Sequence, residues 1–178
     1  ARRSGHRIEH AERGVAIAYD SRRMSGEFAL ETALVLNAAG IKAYLFSTLH
    51  SVPQLSFTIR HLGCIAGVVV TASHNPAEYN GYKVYGSDGC QITEEAADAI
   101  TREIDRSTYA DASWLMESEA RAKGLLADMP ESVLGDYVQK TLACRVYPMA
   151  DAPITVCYTP LNGAGLEPVS MALGAMRG

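Results

Sequence analysis

The sequence is short of cysteine, and it has neither a long hydrophobic run nor a signal-like start. Its four cysteines never stand at C-x-x-C spacing, so we expect reduced thiols with a structural role. No apolar run reaches the ~18 residues that a membrane-spanning helix needs. These absences predict a cytoplasmic protein that has no membrane as a partner.

Positive charge does not dominate either. The formal net charge is -4 and the pI is about 5.7, so the chain has no broad basic field and we expect no nucleic-acid partner. Any cationic patch should be local and suited to small anions. His6 and His10 stand at helical spacing, but without a third ligand nearby they are typical of solvated residues rather than of a metal site.

What the chain does contain is an alternation of apolar runs and amphipathic segments. Hydrophobic residues make up 48% of the sequence, which is enough for a core. The pattern predicts strands at Val15 to Tyr19, Ile41 to Phe46 and Cys64 to Val70, separated by helices that Ser25 and Ser51 begin. We therefore predict an α/β fold, a three-layer domain with a mainly parallel mixed sheet between helices.

The middle of the chain predicts further helices. Thr93 is expected to open a helix with an apolar stripe that belongs to the core. This stripe consists of Ala97, Ile100 and Ile104. The stretch from Tyr109 to Met129 is loop-like, and Pro130 precedes another helix.

A change of character near Asp151 predicts a domain boundary. We assign residues 1–150 to one α/β domain and residues 151–178 to the first strand and helix of a second α/β domain, with the strand at Ile154 to Tyr158. The Gly-rich turn from Thr159 to Gly165 lacks the frame of a phosphate loop, so a strand-to-helix turn explains it better.

The densest polar chemistry lies in the motif TASHNP, Thr71 to Pro76, which follows the apolar run Ile65 to Val70. A buried strand that ends in this way predicts an exposed loop on which Ser73 could be a nucleophile or a phosphate carrier. His74 stands beside it for proton or charge control. Ser, Asn and Pro are also ordinary turn formers, so a structural turn is the commoner explanation of such a loop by itself.

The continuation NGYKVY, Asn80 to Tyr85, returns a lysine toward the serine on a short strand. Period two places Lys83 and Tyr85 on one face of this strand, with Tyr82 and Val84 on the other. An ammonium group here can stabilise a phosphate dianion or exchange a proton with a hydroxyl, although a solvated lysine is the commoner case.

Arg22 follows the first strand as Ser73 follows the third. The loops that leave the carboxyl ends of parallel strands emerge at one edge of the sheet, so the guanidinium should face the same rim as the serine and could bind phosphate there. A salt bridge to Asp20 is the alternative.

TASHNP followed by NGYKVY resembles the α-D-phosphohexomutase family of phosphoglucomutases and phosphomannomutases, and in particular its amino-terminal phosphoserine domain. The likeness extends from Val15 to Arg177 and is strongest from Ala66 to Ile92. Within the family, the NGYKVY motif is most similar to that of the bacterial phosphoglucomutase and phosphopentomutase branch.

The resemblance implies that Ser73 carries a phosphoryl group on and off a sugar phosphate of the glucose 1-phosphate/glucose 6-phosphate type, through a sugar bisphosphate. It implies that Ser73, His74 and Lys83 are catalytic. Arg22, Asn75 and Lys83 would bind the substrate or its phosphate. Mg²⁺ would be the cofactor and would contact the phosphate on Ser73.

Parts of the family's active site are not found in this sequence. These are an arginine-bearing loop near the family's amino terminus, the metal loop, the sugar-specificity loop and the phosphate-binding domain. We therefore expect the remaining mutase domains as partners, and we expect this chain alone to be inactive. Two alternatives stay open: a serine hydrolase that uses Ser73, although the G-x-S-x-G elbow is missing, and a non-catalytic scaffold related to the mutases.

Overall fold

The structure is a computed structural model that describes residues 9–146 and 155–176. Within these residues a five-stranded sheet has the order β4-β3-β1-β2-β5. Four of its strands are parallel, and the edge strand β4 is antiparallel to β3. The strands are β1 (Val15–Tyr19), β2 (Ala43–Leu45), β3 (Ala66–Val70), β4 (Tyr82–Gly86) and β5 (Leu126–Asp128).

Helices cover both faces of this sheet. The α-helices are α1 (Ser25–Ala38), α2 (Val52–Leu62), α3 (Glu94–Asp105), α4 (Glu117–Ala122), α5 (Ser132–Ala143) and α6 (Leu166–Ala175). Two short 3-10 helices add Ala11–Arg13 and Tyr109–Asp111. The predicted α/β class with a mainly parallel mixed sheet is therefore confirmed.

The core consists of two apolar layers, one on each side of the sheet. On one side, Ile17 and Val68 pack with Ala29 and Ala33 of α1, and Ala120 of α4 joins this layer. Because strands buried on both faces have no polar side to alternate with, β1 and β3 are almost continuously apolar.

The other layer contains α2, which lies close to the sheet. Ala16, Val69 and Tyr85 pack there with Leu55 and Ile59 of α2. The helix α5 packs on the outside of α2, and the ring centroids of Phe57 and Tyr137 are 5.6 Å apart. The predicted alternation of side chains along β4 is confirmed, since Tyr85 faces the layer that contains α2.

Side-chain capping sets the ends of several helices. Ser51 begins α2, as predicted, and it forms a capping box with Gln54, while Gly63 ends the helix with a left-handed φ of 66°. The Thr93 hydroxyl accepts a hydrogen bond from the Ala96 N–H at the start of α3. The prediction that Ser25 caps α1 was wrong. Ser25 is the first residue of that helix, and its hydroxyl donates instead to the Asp20 carboxylate.

Two expectations about the middle of the chain were wrong. The stripe of α3 is not core, because no residue of this helix is buried and Ile104 is 63% exposed. The supposed loop from Tyr109 to Met129 contains a 3-10 helix, α4 and β5. All four cysteines are free, but only Cys64 is buried.

The carboxyl-terminal part differs from the prediction as well. Residues 155–158 form neither helix nor strand, and Ile154 lies outside the described residues, as does His6. The helix α6 is present and packs against α5. The division of the chain into residues 1–150 and 151–178 stays a prediction. Among the described residues, no helix is both long and apolar enough to cross a membrane.

His50 is a buried histidine whose tautomer follows from its neighbours. The Gln54 Oε1 accepts a hydrogen bond from the Ser51 backbone N–H at 2.8 Å, so the Gln54 amide nitrogen faces the His50 Nδ1 at 2.9 Å. The Nδ1 atom is then an acceptor. The ring proton therefore sits on Nε2, 3.0 Å from the Thr48 hydroxyl. A second ring proton would face the Gln54 donor.

Burial lowers the pKa of His50 to about 4 from its ordinary value of 6.5. Since the folded-state pKa lies below the unfolded one, the stabilisation from this neutral histidine is fully present above pH 6.5 and is lost as the pH falls toward 4. We expect the protein to lose about 2 kcal/mol more of its free energy of unfolding between about pH 7 and pH 5 than the variant His50→Gln does. Urea unfolding at both pH values measures this difference, and an equal pH dependence of the two proteins would contradict it.

Candidate active site

The candidate site lies where the chain leaves two neighbouring strands in opposite directions. After β1 the chain turns into α1, and after β3 it turns into β4. Such a switch point opens a crevice at the carboxyl ends of the two strands, where α/β proteins bind ligands. Asp20 and Thr71 are the first residues beyond these strands, and the Thr71 hydroxyl donates to the Asp20 carboxylate at 2.5 Å.

Ser73 lies on the loop beyond β3 and is exposed. Its φ of 58° is in the left-handed region, which costs a non-glycine residue about 1 kcal/mol or more. The Ser73 N–H donates to the Thr71 hydroxyl at 2.9 Å, and the Asn75 N–H donates to the Ala72 carbonyl at 3.1 Å. The backbone of the serine is therefore held from inside the fold, while its side chain faces outward.

Arg22 reaches across from the β1 loop and binds the backbone of the serine loop. Its Nη2 donates to the carbonyls of Ser73 at 2.5 Å and Asn75 at 2.6 Å. Its Nη1 donates to the carbonyls of Pro76 at 2.6 Å and Tyr79 at 3.0 Å. The side chain is only 8% exposed. The loop from Ser73 to Tyr79 therefore wraps around one guanidinium group.

The Asp20 carboxylate anchors this arrangement at its base. Its Oδ1 accepts hydrogen bonds from the backbone N–H of Arg22 and from the Ser25 hydroxyl, each at 3.1 Å. Its Oδ2 accepts from Thr71 and lies 3.2 Å from the Arg22 Nε, whose N–H does not point at it well enough for a hydrogen bond. The salt bridge considered for Arg22 is present, in addition to the four carbonyl contacts.

Asn80 closes the far end of the loop. Its side-chain amide donates to the Arg23 carbonyl at 3.0 Å and to the Ser25 hydroxyl at 3.1 Å. The Thr71 N–H then donates to the Gly81 carbonyl at 3.0 Å, which starts the pairing of β3 with β4. The entry and the exit of the serine loop are thus tied to the same short segment after β1.

The structure brings the predicted site residues to one side of the fold but leaves several of them free. Lys83 pairs with Val69 across the two strands, and its half-buried side chain has no hydrogen bond or ion pair among the described residues. His74 and Asn75 are exposed at the loop tip, where only the Asn75 backbone makes the contacts given above. The structure does not test the catalytic and phosphate-binding roles of these residues, and they stay predictions.

Thr71, Ser25 and Asn80 are part of the site, although sequence reasoning did not assign them a role there. A signal for Thr71 was available, since it follows β3 directly as Asp20 follows β1. Asn80 and Ser25 gave no such signal, because 55 residues separate them in sequence and only the fold brings them together.

The described residues do not form a metal site by themselves. Residues 9–146 and 155–176 contain no group of three or more His, Cys, Asp or Glu side chains that could hold an ion. Asp20, the acidic side chain that is hydrogen-bonded to Thr71 at the base of the serine loop, is occupied by Arg22, Ser25 and Thr71. A phosphate on Ser73 would be one ligand for a divalent cation, and the others would come from outside this part of the chain.

The family model described as "Phosphoglucomutase/phosphomannomutase, alpha/beta/alpha domain I" matches residues 3–111. The chain belongs to the phosphoglucomutase/phosphomannomutase family. The match contains the β1 loop, the serine loop and β4, so it covers the residues described above.

Curated relatives agree with this family assignment. The chain is 35% identical over 162 residues to a phosphoglucomutase of Staphylococcus epidermidis, which covers 91% of this chain and 30% of that protein. It is also 35% identical over 153 residues to a phosphoglucomutase of Staphylococcus haemolyticus, covering 85% and 28%. The chain thus spans less than a third of the length of these relatives.

Solved structures show the same fold. The open form of pp63/parafusin, a phosphoglucomutase from Paramecium, matches with a TM-score of 0.71 at 18% identity, over 94% of this chain and 36% of that one. A phosphoglucomutase/phosphomannomutase family protein from Burkholderia thailandensis matches with a TM-score of 0.66 at 21% identity, over 92% and 34%. At these identities the likeness supports the fold alone.

Gly81 is required by the close approach of β4 to the serine loop. A Cβ atom at this position would lie 2.4 Å from the Thr71 carbonyl oxygen, a backbone atom that cannot move without breaking the pairing. We expect Gly81→Ala to lower the free energy of unfolding by about 1–3 kcal/mol, as overpacking usually does. Chemical denaturation measures this.

Gly135→Ala is the matched control, because Gly135 lies inside α5 and a Cβ there would meet no atom within 4 Å. This variant should gain about 0.5–1 kcal/mol through higher helix propensity. Equal effects of the two substitutions would show that the contact with Thr71 is not the cause.

Proposed function

We propose that this chain is the phosphoserine-bearing part of a mutase that moves a phosphoryl group between positions of a sugar phosphate. Membership of the phosphoglucomutase/phosphomannomutase family supports the reaction class. The observation that carries the proposal is the placement of Ser73. It is an exposed serine in a left-handed conformation, on a loop at the switch point of a parallel sheet.

In the proposed reaction Ser73 starts as a phosphoserine. The sugar hydroxyl forms a new bond to phosphorus as the bond from phosphorus to the Ser73 Oγ breaks, and a sugar bisphosphate results. The reverse transfer then returns the other phosphoryl group to the Ser73 Oγ. We assign glucose 1-phosphate and glucose 6-phosphate as the substrate pair, in line with the phosphoglucomutases among the relatives.

Lys83 is the proposed proton carrier. It exchanges a proton with the reacting sugar hydroxyl, and its ammonium group stabilises the charge of the phosphoryl group. The absence of any described partner for its side chain leaves it available for this role. His74 and Asn75, exposed at the tip of the loop, are proposed to orient and balance the phosphate.

Mg²⁺ is the proposed cofactor, as is general in the family. It would supply charge neutralisation at the phosphate of Ser73. Because the described residues offer no further ligand set, the remaining ligands would come from the rest of a longer protein. We propose these further mutase domains as the partner of this chain, which by itself should then be inactive.

The two alternatives have less support. A serine hydrolase needs a base hydrogen-bonded to its nucleophile, and no described histidine makes a hydrogen bond to Ser73. The backbone of Ser73 is instead fixed by Thr71 and Arg22. A non-catalytic scaffold would share this fold, and the phosphorylation state of Ser73 distinguishes it from a mutase.

The first functional prediction is that Ser73 carries the phosphate. The complete protein that contains this chain, incubated with glucose 1,6-bisphosphate and Mg²⁺, should gain one phosphoryl group on the peptide that includes Ser73, as mass spectrometry detects. Ser73→Ala should abolish both the modification and the turnover. Ser87→Ala, in the exposed turn after β4, is the control and should change neither. Full mutase activity in Ser73→Ala would refute the proposal.

The second functional prediction concerns Lys83. Replacing it by Met should lower the turnover of the complete protein by about two to three orders of magnitude, because the transition state loses a charge or a proton carrier. Lys42→Met is the control. Lys42 lies directly before β2, which is separated from β4 by two strands, and its Nζ is 4.5 Å from the centroid of the Tyr44 ring. If both variants keep full turnover, Lys83 is only a strand residue.

A further inference from the structure

We propose that Arg22 is a positioning residue, which gives the serine loop its reactive shape and does not contact the phosphate of the substrate. The functional significance of this inference rests on the proposed role of Ser73. Its main test does not depend on that role, because the measurement needs neither substrate nor turnover.

A guanidinium group has five N–H donors and no acceptor. Four of them are directed at the backbone carbonyls of the serine loop. The fifth, on Nε, makes no hydrogen bond, but it is inaccessible to solvent and lies 3.2 Å from the Asp20 carboxylate. No accessible donor is therefore free for a phosphate oxygen, and a phosphate ligand would have to break contacts that hold the loop.

The Arg22 side chain is only 8% exposed, and its Nε is inaccessible to solvent. The Ser73 side chain, in contrast, is on the exposed loop that covers the guanidinium. The guanidinium is therefore buried under the backbone of an exposed loop. Arg22 acts on the reaction through the backbone of Ser73.

The left-handed φ of Ser73 is unfavourable by itself, and the backbone N–H of this residue makes one bond, to Thr71. The Ser73 carbonyl, which follows the strained φ, is held by Nη2 of Arg22. Hydrogen bonds from a charged donor are about twice as strong as neutral ones, so this contact offsets the strain where it arises.

The geometry also defines which substitutions separate the two roles. Lysine keeps the charge, but its single ammonium lacks the planar fork and cannot reach carbonyls on both sides as the guanidinium does. A residue that bound phosphate mainly by charge would tolerate Arg22→Lys. A residue that holds the loop would not. Arg23, the next residue, is exposed, and its side chain has no hydrogen bond or ion pair in the described part of the chain, so Arg23→Ala is the matched control.

The test is hydrogen–deuterium exchange of the 178-residue chain without any phosphate. The amide groups of Thr71, Ser73, Asn75 and Tyr79 are hydrogen-bonded within the loop and report its opening. We expect their exchange to be about tenfold faster or more in Arg22→Lys and Arg22→Ala, while peptides from β1 and α2 exchange as before. Arg23→Ala should match the unchanged protein throughout.

Two results would overturn the proposal. The first is unchanged exchange of the loop in Arg22→Lys, because the fork would then not be what holds it. The second is faster exchange across the whole sheet in Arg22→Lys, which would make Arg22 a general fold residue. In the complete protein, a positioning role also predicts a lower kcat with an unchanged KM in Arg22→Lys. A raised KM with normal loop exchange would identify Arg22 as a phosphate ligand instead.

Discussion

The carboxylate of Asp20 is the interaction on which the site depends. It stands at the end of β1 and contacts three groups that belong to different parts of the site: the hydroxyl of Thr71, the hydroxyl of Ser25 and the guanidinium of Arg22. Through Thr71 it sets where the serine loop begins, and through Arg22 it orients the group around which that loop wraps. The carboxylate is only 20% exposed, and these partners balance its charge.

The sequence predicted the first three strands and two helices because these elements are local. About ten residues of sequence are enough to indicate each of them. The apolar runs indicate β1 and β3, and Ser51 indicates the start of α2. The strand β5 was missed because it has three residues, too few for a period to appear. Its place in the sheet comes from pairing with Ala43 to Leu45, a partner more than 80 residues earlier in the chain.

The helix α3 shows a different limit. Its apolar stripe is real, but periodicity states only that a helix has an apolar side and not what covers that side. In the structure Ile100 and Ile104 are exposed, and together with Tyr109 they line an open cavity of about 790 Å³. Nothing in the described residues shows what covers this surface. The pattern indicates that α3 has an apolar face, but it does not indicate that this face is buried in the core.

The sequence indicated the residues of the candidate site that belong to the motif, and not those that only the fold brings there. Ser73 and Lys83 were assigned to the candidate site because dense polar chemistry after an apolar run is unusual, and Arg22 because it follows a parallel strand. The contacts of Arg22 could not be found in the same way, since its partners are backbone carbonyls, which every residue has. The sequence therefore does not indicate which backbone carbonyls a side chain will bind. For that reason the sequence placed Arg22 at the same rim as Ser73 without indicating that its guanidinium binds the carbonyls of the serine loop.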